Sequence, residues 1–455
     1  MNNWYESFLR ENLQKKKTDY SRLISQRDSL SDGINHLPTP SLYRNMLLQS
    51  IAISDRLNGY TLSAGHPLLL YGIQYYERFL AGASEDYAKY VCITAGATSA
   101  IQMTMHYLLE SKKANHIILA GMSYYLFQKI AEQCGTSWKT VLPESGCFPT
   151  SVQLCSEIAK NPWGVVILTQ PANPSGELYT EAQLSEVIRA CHNHHSTLLL
   201  DICQMDELTA ETSFLNYGKL IIREEAIDDV IIINSFSKIR SLAGARLGYI
   251  VTSDVCLFDF VSYCNEMLYF NHPLGYEYAI IMDLTYRMVL RTGENQLPSL
   301  LRNIRNIILQ TTGIEAYNTY FKSAIRSKMI YSDARAFQRE VKANMKIIHN
   351  NYRYALEKVS SISDLRITSL QGGYNFCIYL PNYGRQSEAA LCKELSDYMR
   401  TGLLFQSCFC TLVEEGCDGY WFRVSAAMSE EKFKQYITKF IEWSDLYGND
   451  RKQNL

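Results

Sequence analysis

Although it carries 13 cysteines, the 455-residue chain has no Cys-x-x-Cys pair. The spacing of a zinc ribbon or a dithiol redox motif is therefore absent, and thiols within apolar segments (Cys92, Cys203, Cys264, Cys377) read as reduced core residues, with neither disulfide nor metal expected. No apolar run approaches the roughly 18 residues of a spanning helix. Met1–Lys17 is too charged for a signal peptide, so the expectation is no membrane and a cytoplasmic protein. An excess of either charge is also lacking: 44 Lys+Arg against 46 Asp+Glu give a formal charge of -2, which leaves no electrostatic footprint for nucleic acid. Internal repeats and low-complexity tracts are missing as well. What is present, 47% hydrophobic and 20% charged residues, suits a sizeable core in two associated domains.

Residues 1–32 are polar and helix-prone, with Lys15–Lys17 a solvated face, and Ser31–Asn35 and Pro38–Pro40 break into loop. Apolar strands then alternate with helix-length segments: Val91–Thr94, His116–Ala120, Gly164–Thr169, Thr197–Leu200, Val230–Asn234 and Gly248–Thr252. Such alternation predicts an α/β fold with a mainly parallel sheet covered by helices. A long helix over 335–358 leads into strands at Leu365–Thr368, Tyr374–Leu380, Leu404–Phe409 and Trp421–Val424, with helices at 387–400 and 429–445. That is a smaller α+β domain. The expected division is 1–45 packing with the small domain, 46–330 as the large domain, and 331–455 as the small one. At the end of the large domain, 288–333 is a helical insertion longer than a connector needs. Cys408 and Cys410 alternate on the strand expected there, both thiols on one face, and His192, His194 and His195 read as a solvated helix end.

The chemistry concentrates at Asn234-Ser235-Phe236-Ser237-Lys238 and Gly244-Ala245-Arg246-Leu247-Gly248. Lys238 falls just past a buried strand, where open α/β sheets place ligands. A desolvated or cation-flanked lysine there forms Schiff bases, and Ser235, Ser237 and Arg246 offer hydroxyls and a fork of N–H donors to a phosphate. Gly96-Ala97-Thr98 opens a helix after another strand, the arrangement that holds phosphate on backbone N–H groups, although an ordinary strand-to-helix turn has the same composition. Asp201 ends the strand Thr197–Leu200; it is either a helix N-cap or a buried acid that needs a partner.

Ser-Phe-Ser-Lys with an Arg eight residues on resembles the lysine segment of fold-type I pyridoxal-phosphate (PLP) enzymes, specifically the class I/II aminotransferases. Further segments match in order over about residues 30–430. The resemblance implies PLP on Lys238, with Gly96, Ala97, Thr98, Ser235, Ser237 and Arg246 around the phosphate. Tyr124 would lie on the ring face, Asn173 on the phenolic oxygen and Asp201 on the pyridine nitrogen. Arg423 would clamp the substrate carboxylate, closed over by Gly33, with Asn173 at its side. Tyr60 would reach the phosphate of a neighbouring subunit, so a homodimer with shared active sites is implied. The implied activity is Cα deprotonation of an amino acid, held as an external aldimine, by Lys238, most often ending in transamination to a 2-oxo acid. Elimination, cyclisation or oxidation of the amino acid shares those steps, and a non-catalytic binding or regulatory protein on the same fold is the rival from another class. The helix-turn-helix extension of the family's regulators is not expected before residue 30.

Three departures stand out. Gln204 occupies the place, three residues after Asp201, where most members carry a Tyr on the phenolic oxygen, a feature similar to the cysteine desulfurase branch. Met122 replaces a usual proline. Phe270–Pro273 resembles the turn after a helix whose Arg recognises acidic side chains in dicarboxylate-specific members; Glu266 lies five residues before Asn271. An acidic substrate side chain is then disfavoured, unless Glu266 is merely a solvated helix residue.

Overall fold

The computed structural model describes residues 29–51, 60–82, 86–111, 114–143, 145–206, 215–268, 275–325, 329–383, 385–410 and 417–452. Seven strands make the larger sheet: β1 (Tyr90–Ala95), β2 (His116–Ala120), β3 (Ser137–Val141), β4 (Val165–Thr169), β5 (Thr197–Asp201), β6 (Val230–Ser235) and β7 (Leu247–Thr252). Their order is β1-β7-β6-β5-β4-β2-β3. β3, β2, β4, β5 and β6 run parallel, and β7 is antiparallel to both β6 and β1.

The apolar runs sort by strand alternation. Val166, Leu168, Leu198, Leu200, Val230 and Ile232 enter one core. Val165, Ile167, Leu199, Ile231 and Ile233 enter another on the opposite face. A strand buried on both faces has no polar side to show, which is why these segments read as continuous hydrophobic runs. Each such side chain contributes roughly 1.5–3 kcal/mol on burial.

A smaller antiparallel sheet, in the order β10-β11-β9-β8, comprises β8 (Arg366–Ile367), β9 (Asn375–Pro381), β10 (Leu404–Phe405) and β11 (Gly419–Ser425). The helix Ile330–Ser360 joins the two sheets. Its first half (Ile330, Ala334, Phe337, Val341) sits in the large core and its second half (Ile348, Ala355, Val359) in the small one. The N-terminal segment also divides: Leu30 and Leu37 pack with the small sheet, Tyr43 and Met46 with the large core.

Three expectations change. β3 was not foreseen, because Ser137-Trp138-Lys139-Thr140-Val141 is a half-exposed edge strand with no apolar run. The strand expected over Leu404–Phe409 stops at Phe405 and turns into a 3-10 segment, Gln406–Cys408. Cys408 and Cys410 consequently do not alternate on a strand, though both are buried. Residues 288–333 are built from the end of the helix Tyr276–Arg291, the helix Leu297–Ala316 and a π-helical turn, Tyr317–Phe321. The histidines end the helix Glu181–Asn193 as expected: His192 Nδ1 lies 2.7 Å from Asp229, and His195 stacks on Trp163. No helix among the described residues is long and apolar enough to cross a membrane.

Candidate active site

β1 is antiparallel to β7, which is antiparallel to β6, so β1, β2, β4, β5 and β6 all end at one edge of the sheet. Gly96, Tyr124, Asn173, Asp201 and Lys238 follow those five strand ends. The backbone topology alone therefore gathers the residues singled out in the sequence.

Lys238 lies in the short helix Phe236–Ile239, whose N-cap is Ser235; the Ser235 hydroxyl accepts from the Ser237 N–H at 3.2 Å. Its Nζ donates to the Gly33 carbonyl at 2.9 Å, and Asn35 Nδ2 holds the Lys238 carbonyl at 2.9 Å. Burial, followed by the nearby Arg423 charge, lowers the Lys238 pKa below the usual lysine range, against opposing contributions from Cys203, Asp32 and Asp201.

Arg423 reaches the same point from β11. Its Nε and Nη2 donate to the Ser31 carbonyl at 3.0 and 2.5 Å, its Nη1 donates to Asn173 Oδ1 at 3.0 Å, and its guanidinium lies over the Phe409 ring. The Ser31 hydroxyl in turn donates to the Arg423 carbonyl. Because Asn173 presents its oxygen to Arg423, its amide N–H groups point elsewhere and are the donors it can offer a ligand. Gly33 has φ +64°, and a Cβ there would stand 2.9 Å from Arg423 Nη2, so this glycine is required both by conformation and by close approach.

Asp201 is buried at the end of β5; Oδ1 accepts from the Cys203 N–H at 3.0 Å and Oδ2 from the Thr169 hydroxyl at 3.4 Å. Burial raises its pKa despite those bonds. The acid is thus incompletely compensated; its Cys203 bond closes a local turn, and no helix begins at Asp201 among the described residues. The helix Gly96–Glu110 begins at Gly96, so Ala97 and Thr98 lie in its first turn with N–H groups unused by the helix. Arg246 donates through Nη2 to the Ala95 carbonyl at 2.8 Å, and a Cβ on Gly96 would sit 2.7 Å from that same nitrogen. Tyr124 meets Tyr125 edge-on at 4.7 Å, and its phenol is pushed up to about 12 by burial, then by Tyr125, while a hydrogen bond from Thr98 opposes this.

The model of the family described as aminotransferase class I and II matches residues 29–440. The chain belongs to that family. The Bacillus subtilis (strain 168) protein described as a probable N-acetyl-LL-diaminopimelate aminotransferase is 25% identical over 234 residues, 51% of this chain and 57% of that protein. A Campylobacter jejuni histidinol-phosphate aminotransferase is 25% identical over 167 residues, 35% and 42% of the two chains. The chain spans about half the length of these curated relatives. Among solved structures, a tetra mutant of Thermus thermophilus aspartate aminotransferase superposes with a TM-score of 0.67 at 16% identity, over 93% of this chain and 98% of that one.

Class I and II aminotransferases depend on PLP, and the residues present fit that group. The under-compensated Asp201 suits a ring N–H cation. At Gly96 a Cβ would meet Arg246, which leaves open the space beside that guanidinium where a phosphate would fit, and Lys238 is the lysine at a strand end with a lowered pKa. Gln204 is buried close to Gly373, the small-sheet turn residue whose φ is +69°. Tyr60 is far from buried, 81% exposed. Glu266 is exposed in the last turn of the helix Val255–Met267, the solvated alternative, while Phe270–Pro273, Gly59 and Lys15–Lys17 lie outside the described residues.

Several groups at the site were not anticipated. Tyr374 donates to the Gly33 carbonyl at 2.7 Å, the same oxygen that Lys238 uses. Ser31, Asp32, Cys203 and Phe409 also face Lys238 or Arg423. Gly372-Gly373 directly before Tyr374 was a usable signal, since paired glycines ahead of a strand mark a close approach.

Proposed function

We propose that this chain is a PLP-dependent aminotransferase that takes the amino group of an α-amino acid and passes it to a 2-oxo acid. The observation that carries the reading is Lys238: a lysine at the end of β6, with a lowered pKa, aimed at the Gly33 carbonyl beside the Arg423 guanidinium. When bound, PLP supplies an electron sink that acidifies the substrate Cα–H. Lys238 holds the cofactor through Nζ. With PLP bound, Lys238 Nζ would be the group placed to accept and return the substrate's Cα proton, and its lowered pKa leaves more of it as the free base.

Asp201 would pair with the protonated ring nitrogen and Tyr124 would pack against the ring. Asn173 and Gln204 would donate to the phenolic oxygen. The N–H groups of Gly96, Ala97 and Thr98, with Ser235, Ser237 and Arg246, would hold the phosphate. Arg423 grips the substrate carboxylate bidentately, which a lysine does not do, and the Ser31–Gly33 segment closes over it. The same proton abstraction also starts elimination, cyclisation or oxidation; family membership favours transamination. The names of the relatives differ in what they act on, so the proposal extends to an α-amino acid and no further.

A homodimer in which Tyr60 serves the partner's phosphate site belongs to the proposal. Its support is a set of exposed apolar residues, Tyr60, Leu62, Tyr263, Met267 and Leu268, on two segments tied together where Asn265 Nδ2 donates to the Ser63 carbonyl at 2.9 Å. The division into a large PLP domain (46–330) and a small one (331–455) is also retained, the helix Ile330–Ser360 acting as the element shared between them. The test is borohydride reduction of the yellow holoprotein followed by peptide mapping, together with mass spectrometry of products from each amino acid. Label on Lys238 and formation of a 2-oxo acid are expected. Label elsewhere, or a bound cofactor with no amino-group transfer from any amino acid, overturns the proposal.

A further inference from the structure

We propose that His106, Glu110 and Cys134 form a binding site for a thiophilic divalent cation, Zn2+ foremost, on the large domain away from the active site. His106 and Glu110 are one turn apart on the helix Gly96–Glu110, with Nδ1 3.0 Å from Oε1. Cys134 caps the end of the neighbouring helix Leu126–Gln133, and its Sγ lies 3.5 Å from the same His106 Nδ1. All three donor atoms fall within 4.8 Å of one another.

His106 Nδ1 cannot serve both neighbours at once. Nδ1 holds either a proton or a lone pair. If it holds a proton, it donates to Glu110 and has no lone pair left for the thiol. If it holds a lone pair, the thiol donates to it, and the Glu110 carboxylate then faces that lone pair at 3.0 Å. A cation at the centre engages a lone pair from each group. Thiolate with imidazole and carboxylate is a donor set suited to zinc among the common divalent ions.

The scaffold is rigid. His106 and Glu110 are fixed by helical spacing, and the Cys134 N–H is bonded to the Ile130 carbonyl at 2.9 Å before Gly135 turns the chain at φ +63°. Since Glu110 is exposed, the fourth position opens to water.

His106 lies ten residues along its helix from Gly96, about 15 Å at 1.5 Å per residue. The site is thus distinct from the catalytic one, yet the bound ion would tie together the helix that begins at the phosphate turn and the helix that follows Tyr124. No local motif announces it, because Cys134 is 28 residues from His106.

The experiment is calorimetric titration of ZnCl2 into holoprotein first stripped with a chelator and dialysed, beside zinc-edge X-ray absorption of the 1:1 sample. One Zn2+ per chain is expected, with one sulfur at about 2.3 Å and nitrogen or oxygen neighbours at about 2.0–2.2 Å. His106→Asn and Cys134→Ser should each weaken binding by at least about tenfold, while Cys256→Ser leaves it unchanged. Amino-group transfer by metal-free enzyme should be the same in every variant. Failure to bind Zn2+, a first shell without sulfur, or affinity unaltered in both ligand variants overturns the site; if Cys134→Ser does not fold, His106→Asn decides.

Discussion

Replacing Arg423 by Ala separates the substrate clamp from the cofactor site. Its guanidinium is buried, makes three hydrogen bonds to Ser31 and Asn173, and stands on the Phe409 ring. Removing a charge-assisted bidentate contact to the substrate carboxylate should cost about 2–4 kcal/mol of transition-state binding, which at about 1.4 kcal/mol per decade is a loss of roughly 30- to 700-fold in kcat/KM. The folded state suffers as well: the Ser31 carbonyl loses the donors it has now, a penalty of about 1–3 kcal/mol. Thermal unfolding of the variant must therefore be measured first, and the kinetics run well below its transition. The visible spectrum of bound PLP should survive, because Arg423 is assigned to the substrate. Arg423→Lys should recover only part of the loss, since an ammonium keeps the charge but not the planar fork. If kcat/KM for Arg423→Ala equals that of the parent while the protein is folded, the clamp lies elsewhere and the active-site assignment fails.

Gly33→Ala should raise KM and lower kcat/KM, because the added Cβ meets Arg423 Nη2 at 2.9 Å from a backbone at φ +64°; steady-state kinetics equal to the parent would show that the loop yields freely. Asp283→Asn should cost about 3–5 kcal/mol, since it leaves buried Arg240 and Arg287 facing a neutral amide in a network that also holds Tyr43 and Asp206. Burial alone would raise the Asp283 pKa, but the two guanidinium groups hold it well below the usual carboxylate range. The stabilisation is therefore complete above the unfolded-state value near 4 and is lost as pH falls through the lower folded one; thermal unfolding of Asp283→Asn should show a flatter acid limb, and parallel limbs would refute the assignment. Tyr60→Ala should weaken PLP retention without altering monomer stability, and dilution of the parent to monomer should do the same; sedimentation that finds a fully active monomer would exclude the shared site.

Lys238, Asp201, Asn173 and Gly96 were legible because each follows an apolar strand, and parallel strands place their ends at one edge whatever joins them. Periodicity locates such positions to within a residue or two, and that is enough to bring a lysine and a carboxylate into one cleft. β3 was not legible, because an edge strand paired only with β2 carries a lysine and a serine and buries little. The turn at Gln406–Cys408 escaped for a related reason: Phe405, Cys408, Phe409 and Cys410 are all buried, so their hydrophobicity signals a core position without saying whether the backbone there is extended.

The contacts that set the chemistry belong to another class. Arg423 is held by a carbonyl 392 positions away, and Lys238 by one 205 positions away. A main-chain oxygen has no residue type for a pattern to find. What sequence does convey at Gly33 is a permission, since only a residue without a side chain lets that stretch of backbone lie against a guanidinium. The three groups then constrain one another: Tyr374 and Lys238 share the Gly33 oxygen while Arg423 holds the Ser31 oxygen two residues earlier. On the proposed function, movement of that N-terminal segment would release or reorient the lysine and the arginine together, and so would couple closure over the substrate carboxylate to the freeing of Lys238.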